Sequence, residues 1–256
     1  MSLEAALRDR LDRGGKVFVP YVTGGHPHVD GALLRGLEEA GADAIEVGIP
    51  FSDPVMDGGV IQRASAEALE AGATPVSVFA TIRASGVSVP VAVMTYVNPV
   101  YRRGVGSFLD DAVESGVQAV IVPDLPVDEA EGLEAEAERR DIAAVLLASP
   151  GTSRERLAMI AERARGFVYC VATYGVTGAR DSLAGTAREL VEALRPLTRK
   201  PLLVGIGVGT PAQAAEACGF ADGVVVGSAL MDPVVRGDVG AALQLAADFR
   251  SAIPAG

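Results

Sequence analysis

Short apolar runs alternate with amphipathic stretches along nearly the whole chain. Val17–Val22, Ala44–Ile49, Val89–Thr95, Ala119–Val122, Ala143–Leu147, Phe167–Ala172, Pro201–Val204 and Gly223–Val226 read as strands, eight in all. Their near-continuous apolar character predicts burial on both faces, the mark of a parallel sheet covered by helices. The intervening stretches read as those helices. "HVDGALLRGLEEAG" closes on Gly41, and "DEAEGLEAEAERRD" is rich in i,i+4 charge pairs. "TPVSVFATIRASG" has Thr74 as N-cap, Pro75 at the first helical position and Gly86 as terminator.

Eight such units without a linker, a low-complexity tract or a composition break predict an α/β fold, a single (β/α)8 barrel over residues 1–256. The amphipathic segment "MSLEAALRDRLDRGG" before the first strand is then an extra N-terminal helix that plugs the bottom of the barrel, not a signal peptide. A doubly wound open sheet is the runner-up. It wants a GxGxxG turn after the first strand, and "VTGGHPHVD" lacks that spacing.

Composition adds exclusions. With 49% hydrophobic and 21% charged residues the chain has ample material for a core. A net charge of −11 argues against a nucleic-acid or anionic-membrane surface, both of which need clustered Lys and Arg. No apolar stretch is long enough to span a bilayer. Cys170 and Cys218 have no metal-ligand spacing and read as reduced, buried small hydrophobes of a cytoplasmic protein.

The barrel reading directs attention to the C-terminal strand ends, where such folds build their sites. In "AIEVGIPFSDPVMDGG" the strand alternation turns Ile45, Val47 and Ile49 outward, and Ala44, Glu46 and Gly48 into the lumen. A lumen Glu could be half of a structural ion pair, but no neighbouring strand run carries a cation. The better reading is a general acid/base of tunable pKa. Asp57 follows in a loop stiffened by two prolines, and reads equally as a site residue or as a cap for the next helix. Asp53, before Pro54, reads as a turn or cap residue.

Gly-rich turns directly follow strands 7 and 8, in "LLVGIGVGTPAQAA" and "GVVVGSALMD", the second leading into a helix at Ser228. Either alone is a tight connection; together, on adjacent barrel strands, they favour a phosphorylated substrate. "ATYGVTGARDS", residues 172–182, reads as a lid or an ordinary loop. The two lysines, Lys16 and Lys200, begin strands at the opposite end, which disfavours Schiff-base and pyridoxal phosphate chemistry in this chain. His26 and His28 flank Pro27 with no third histidine, which disfavours a catalytic metal.

"PYVTGGHP", "EVGIPFSDPVMDGGVIQRA", "MTYVNPVY", "VIVPDLPVDE", "YGVTGAR", "GIGVGTPAQ" and "GVVVGSAL" occur in this order from about residue 18 to 230. In that succession the chain resembles the tryptophan synthase α subunit family. The resemblance implies a lyase that cleaves indole-3-glycerol phosphate to indole and glyceraldehyde 3-phosphate. It implies proton shuttling by Glu46, acceptance of the indole N–H by Asp57, and positioning of substrate and Glu46 by Tyr169. Thr177 would belong to the lid. Gly178, Gly207, Gly227 and Ser228 would hold the phosphate, and Tyr21, Met94 and Ile206 would line the indole pocket. The implied partner is a β subunit, in an α2β2 heterotetramer, which carries pyridoxal phosphate; this chain would hold no cofactor. Two departures stand out: Gly59 where the family usually has Pro, and His26 where it has an acid. A stand-alone lyase, another phosphate-binding barrel isomerase and a mainly activating subunit are the competing readings.

Overall fold

The structure, a computed structural model, describes residues 2–172 and 183–255. Eight strands close a barrel in sequence order: β1 (Val17–Thr23), β2 (Ile45–Gly48), β3 (Val91–Met94), β4 (Val117–Ile121), β5 (Ala143–Ala148), β6 (Val168–Val171), β7 (Leu202–Gly205) and β8 (Gly223–Val226). Every adjacent pair is parallel, including β8 against β1. The fold is a TIM barrel with helices outside.

Strand parity sorts the core into two layers. Ile45, Val47, Val91, Val93, Val120, Cys170, Val204 and Val224 face the surrounding helices. Val17, Val19, Ala44, Ala92, Ala119, Ile121, Phe167, Leu203 and Val225 fill the lumen. Leu3 and Leu7 of the N-terminal helix Leu3–Asp12 are fully buried in the lumen layer, with Leu11 packed against it. The i, i+4, i+8 spacing puts these leucines on one face, so this helix closes the bottom as its pattern predicts.

Several local expectations hold at atomic detail. Helix Pro75–Ser85 has Thr74 as N-cap in a capping box with Ser77, and ends on Gly86 at φ 67°. Both lysines lie at the N-terminal strand ends: Lys16 Nζ donates to the Ala221 carbonyl at 2.7 Å and Lys200 Nζ to that of Ala161 at 2.8 Å. Cys170 and Cys218 are buried free thiols, and burial pushes them up to about 12 and about 11.

Other boundaries move. β3 starts only at Val91, because Pro90 has no N–H for the ladder and contributes just its carbonyl, to the Ile45 N–H. The acidic segment divides into a 3-10 turn, Val127–Glu129, and helix Glu131–Glu138. An unexpected helix, Val97–Arg103, follows β3 and takes in Pro99 near its start, where a missing N–H costs little.

Helix Gly59–Glu70 starts on Gly59, with Gly58 as a cap residue in extended backbone and no side-chain cap bond. A Cβ at Gly59 would meet nothing within 4 Å, and extended Gly58 (ψ 161°) is the conformation preferred before proline. Gly59→Pro is therefore expected to stabilise the fold by about 0.5–1 kcal/mol, chiefly by restricting the unfolded chain. Urea denaturation would measure it, and an unchanged or lowered midpoint would contradict it.

Candidate active site

At the C-terminal strand ends a cavity of about 460 Å³ opens among Tyr21, Glu46, Met56, Asp57, Gly58, Ile61, Met94, Pro123, Tyr169, Ile206–Gly209, Val225 and Gly227–Ala229. Every site residue expected from the sequence lines it, apart from Thr177 and Gly178, which lie outside the described residues together with most of the expected lid.

Glu46 reaches the cavity from the lumen face of β2 and is 1% exposed. Neither of its carboxyl oxygens has a hydrogen-bond partner. Burial, reinforced by the charge of Asp57, pushes its pKa up to about 8, so at neutral pH it is largely a neutral acid. Asp57 is raised to about 6, again by burial, with a hydrogen bond from Tyr96 acting in the opposite sense. Two neighbouring carboxyl groups with separated pKa values suit one to donate a proton while the other stays ionised.

Asp57 is not a helix cap. Its backbone N–H donates to the Pro54 carbonyl at 3.1 Å, and its carbonyl accepts from Gln62 Nε2 at 2.9 Å. The loop is thereby bent back on itself and held to the following helix. Asp53 makes local turn contacts: its carboxylate accepts from Ser52 Oγ at 2.6 Å and its carbonyl from the Val55 N–H.

Two glycines create the space that the tyrosines occupy. Gly48 ends β2, and a Cβ there would lie 2.0 Å from the Tyr21 hydroxyl; a Cβ at Gly205 would lie 2.4 Å from that of Tyr169. Tyr21 pairs in register with Glu46, and its hydroxyl stands 3.4 Å from Thr23 Oγ1. Burial, together with the Asp57 and Glu46 charges, keeps both phenols protonated.

The Gly-rich turns converge on one side of the cavity. Ile206 and Gly207 both have positive φ, 60° and 116°. For a β-branched residue this is a strained backbone, of a kind that concentrates at functional sites. After the adjacent strand β8, helix Ser228–Val235 begins on Gly227, whose carbonyl accepts from the Leu230 and Met231 N–H groups, while those of Ser228 and Ala229 at the helix start have no intrahelical acceptor. This is an anion-binding geometry.

His26 serves structure. It is buried, its Nδ1 accepts from the His28 N–H at 3.2 Å, and its Nε2 therefore carries the proton that binds Glu67 at 2.9 Å. The pair ties the loop after β1 to helix Gly59–Glu70. Among the described residues no group of three or more His, Cys, Asp or Glu is placed to hold a metal ion.

Sequence reasoning passed over Tyr96. It lies inside a quoted motif, directly after β3, where an aromatic hydroxyl at a catalytic strand end was the available signal. Its hydroxyl accepts from the Met56 N–H at 2.9 Å, and its ring stacks on Phe51 with centroids 5.1 Å apart.

Comparison with known proteins bears on family and fold. The family profile described as tryptophan synthase alpha chain matches residues 7–248. The tryptophan synthase alpha chain of Carboxydothermus hydrogenoformans is 43% identical over 88% of this chain and 85% of its own. That of Thermobifida fusca is 40% identical over 99% and 97%. Among solved structures, the alpha subunit from Legionella pneumophila superposes with a TM-score of 0.89 at 32% identity, covering 98% of each chain. A Mycobacterium tuberculosis tryptophan synthase chain does so with 0.90 at 36%, covering 99% and 98%. With a barrel closed in the same way and a profile that spans nearly its whole length, this chain belongs to the tryptophan synthase alpha chain family.

Proposed function

We propose that Glu46 and Asp57 carry the lyase reaction of the family in this chain: cleavage of indole-3-glycerol phosphate into indole and glyceraldehyde 3-phosphate. The observation that carries the reading is Glu46 itself, a fully buried carboxyl without a partner that faces a cavity beside a second carboxyl.

The chemistry follows from protonation states. Neutral Glu46 donates its proton to indole C3, and the positive charge that forms spreads to the ring nitrogen. The Asp57 carboxylate accepts the N–H there and stabilises that charge. Glu46, now a carboxylate, removes the proton from the hydroxyl on the carbon attached to C3. The carbon–carbon bond breaks as the aldehyde forms, its electron pair returns to the ring, and Glu46 is neutral again. Tyr169 positions the substrate and Glu46. Backbone groups of Gly207, Gly227 and Ser228, with Gly178, hold the phosphate. Tyr21, Met94 and Ile206 enclose the indole.

As an alpha chain the protein works with a β subunit. The finer assembly, an α2β2 heterotetramer, belongs to this proposal, with the loop after β2 as a docking element; Val55 at its tip is 78% exposed. Pyridoxal phosphate sits on the β subunit, which consumes the indole, and this chain uses only its own side chains. Residues 1–256 act as a single domain in the cytoplasm.

Indole release from indole-3-glycerol phosphate, with and without added β subunit, tests the whole. Slow release by the isolated chain and strong acceleration by the partner are expected. Equally fast release without the partner would make it a stand-alone lyase. No release under either condition would remove the named reaction.

A further inference from the structure

Asp57 sits in a surface loop, yet the reaction needs its carboxylate in one place. The contacts that hold it point to a residue with no assigned role. We propose that Tyr96 is a positioning residue for Asp57, clamping the loop after β2 at Met56 and directing its own hydroxyl hydrogen to the Asp57 carboxylate. The inference rests on the reading of Asp57 given above.

A phenol has one hydrogen to give and lone pairs to receive. The Met56 N–H, one residue before Asp57, donates to the Tyr96 oxygen at 2.9 Å. That leaves the phenolic hydrogen for the neighbouring carboxylate, which as an anion can only accept. Of the other phenols near Asp57, the Tyr21 hydroxyl stands 3.4 Å from Thr23 Oγ1, and that of Tyr169 lies against Gly205. The Tyr96 ring stacks on Phe51 at an interplanar angle of 27°, so the same side chain holds the start of the loop as well.

Tyr96 can act as an anchor because it is itself fixed. It is 5% exposed, and its flanking backbone is bonded on both sides: the Thr95 N–H to the Ile121 carbonyl at 3.0 Å, and the Val97 N–H to Asp124 Oδ1 at 2.9 Å. β4 and the loop beyond it thus support Tyr96, which supports Asp57. The titratable groups facing Asp57 are Glu46 on β2, Tyr21 on β1, Tyr169 on β6 and Tyr96; Asp124 acts on Tyr96. Of these, Tyr96 alone lowers the Asp57 pKa, by hydrogen bonding to the charged form.

Tyr96→Phe keeps the stacked ring and removes only the hydroxyl. In the complex with the β subunit, kcat for indole release is expected to fall about tenfold at neutral pH, with KM little changed. The acid limb of the pH profile moves to higher pH, because a carboxylate without its donor ionises later. Carbon-13 NMR titration of the Asp57 carboxyl, assigned with Asp57→Asn, should move the same way in the isolated chain. A wild-type profile, or a loss equal at every pH with the NMR titration unmoved, would overturn the proposal. Asp57→Asn, assayed alongside, separates the two claims. If it retains activity, the role given to Asp57 fails, while the NMR comparison still judges Tyr96. If it is inactive and Tyr96→Phe is unaffected, only the role of Tyr96 fails.

Discussion

Glu46→Gln is expected to lower the rate of indole release by roughly 10³-fold, within the range that a lost general acid/base commands. The substitution keeps the shape of the side chain and removes its titratable proton, so the cavity and the Gly-rich turns stay as they are. KM for indole-3-glycerol phosphate should therefore change much less than kcat. In the wild-type chain the carboxyl pair titrates at about 6 and about 8, the lower value belonging chiefly to Asp57 and the upper to Glu46. The proposed mechanism requires Asp57 ionised and Glu46 protonated. The profile should rise through about pH 6 and fall through about pH 8. Steady-state assays across this range would decide: a rate that climbs steadily beyond pH 8, or a variant that keeps wild-type turnover, would exclude Glu46 as the acid. Stimulation of the β subunit by the inactive variant would show that activation and cleavage are separable functions of this chain.

The second large effect concerns stability, and it has the opposite sign from the usual carboxylate case. Folding raises the pKa of Glu46 from 4.5 to about 8, because the buried site disfavours the charge. Between those values the folded chain keeps a proton that the unfolded chain has lost. Stability therefore declines as pH rises through this window and levels off above about 8. A span of that size corresponds to about 4–5 kcal/mol. Asp57, raised from 3.8 to about 6, contributes in the same direction at lower pH. Glu46→Gln removes the Glu46 contribution. The variant should match the wild type near pH 4.5 and exceed it by several kcal/mol near pH 9. Urea midpoints at the two pH values give the difference directly; equal midpoints at pH 9 would mean that Glu46 ionises in the folded chain as freely as in water. An inactive variant that is more stable than its parent would identify the buried acid as a cost borne for function.

The barrel was legible because each of its signals is local. Strands buried on both faces must be apolar throughout, helices carry a one-sided stripe and caps, and eight such units leave no other economical closure. Glu46 was legible for the same reason: a charge in an apolar run violates the local rule, and alternation alone turns it into the lumen. The glycines that let Tyr21 and Tyr169 fold into the cavity wall were less so. Alternation turns Gly48 into the lumen beside Glu46, but only the fold shows that a tyrosine from β1 fills the space its missing side chain leaves.

Asp57 marks the boundary between the two kinds of information. Its loop could be recognised from its prolines and glycines, yet the sequence left a helix cap and a site residue equally open, because a cap and an acceptor are the same carboxylate. Tyr96, which accepts from the Met56 N–H one residue before Asp57, comes from a strand end 39 positions beyond Asp57 along the chain. No periodicity links such residues; they meet only because parallel strands bring their C-terminal ends to one side of a closed barrel. By itself the sequence determined the closure of the fold, the direction of Glu46 and the place of the Gly-rich turns after strands 7 and 8, since these follow from alternation and from local backbone chemistry. The tertiary structure alone decided that Glu46 has no partner, that burial raises both carboxyl groups with the Asp57 charge raising Glu46 further, and that Tyr96 holds the loop, since desolvation and Coulomb interaction depend on distance in space and not on distance along the chain.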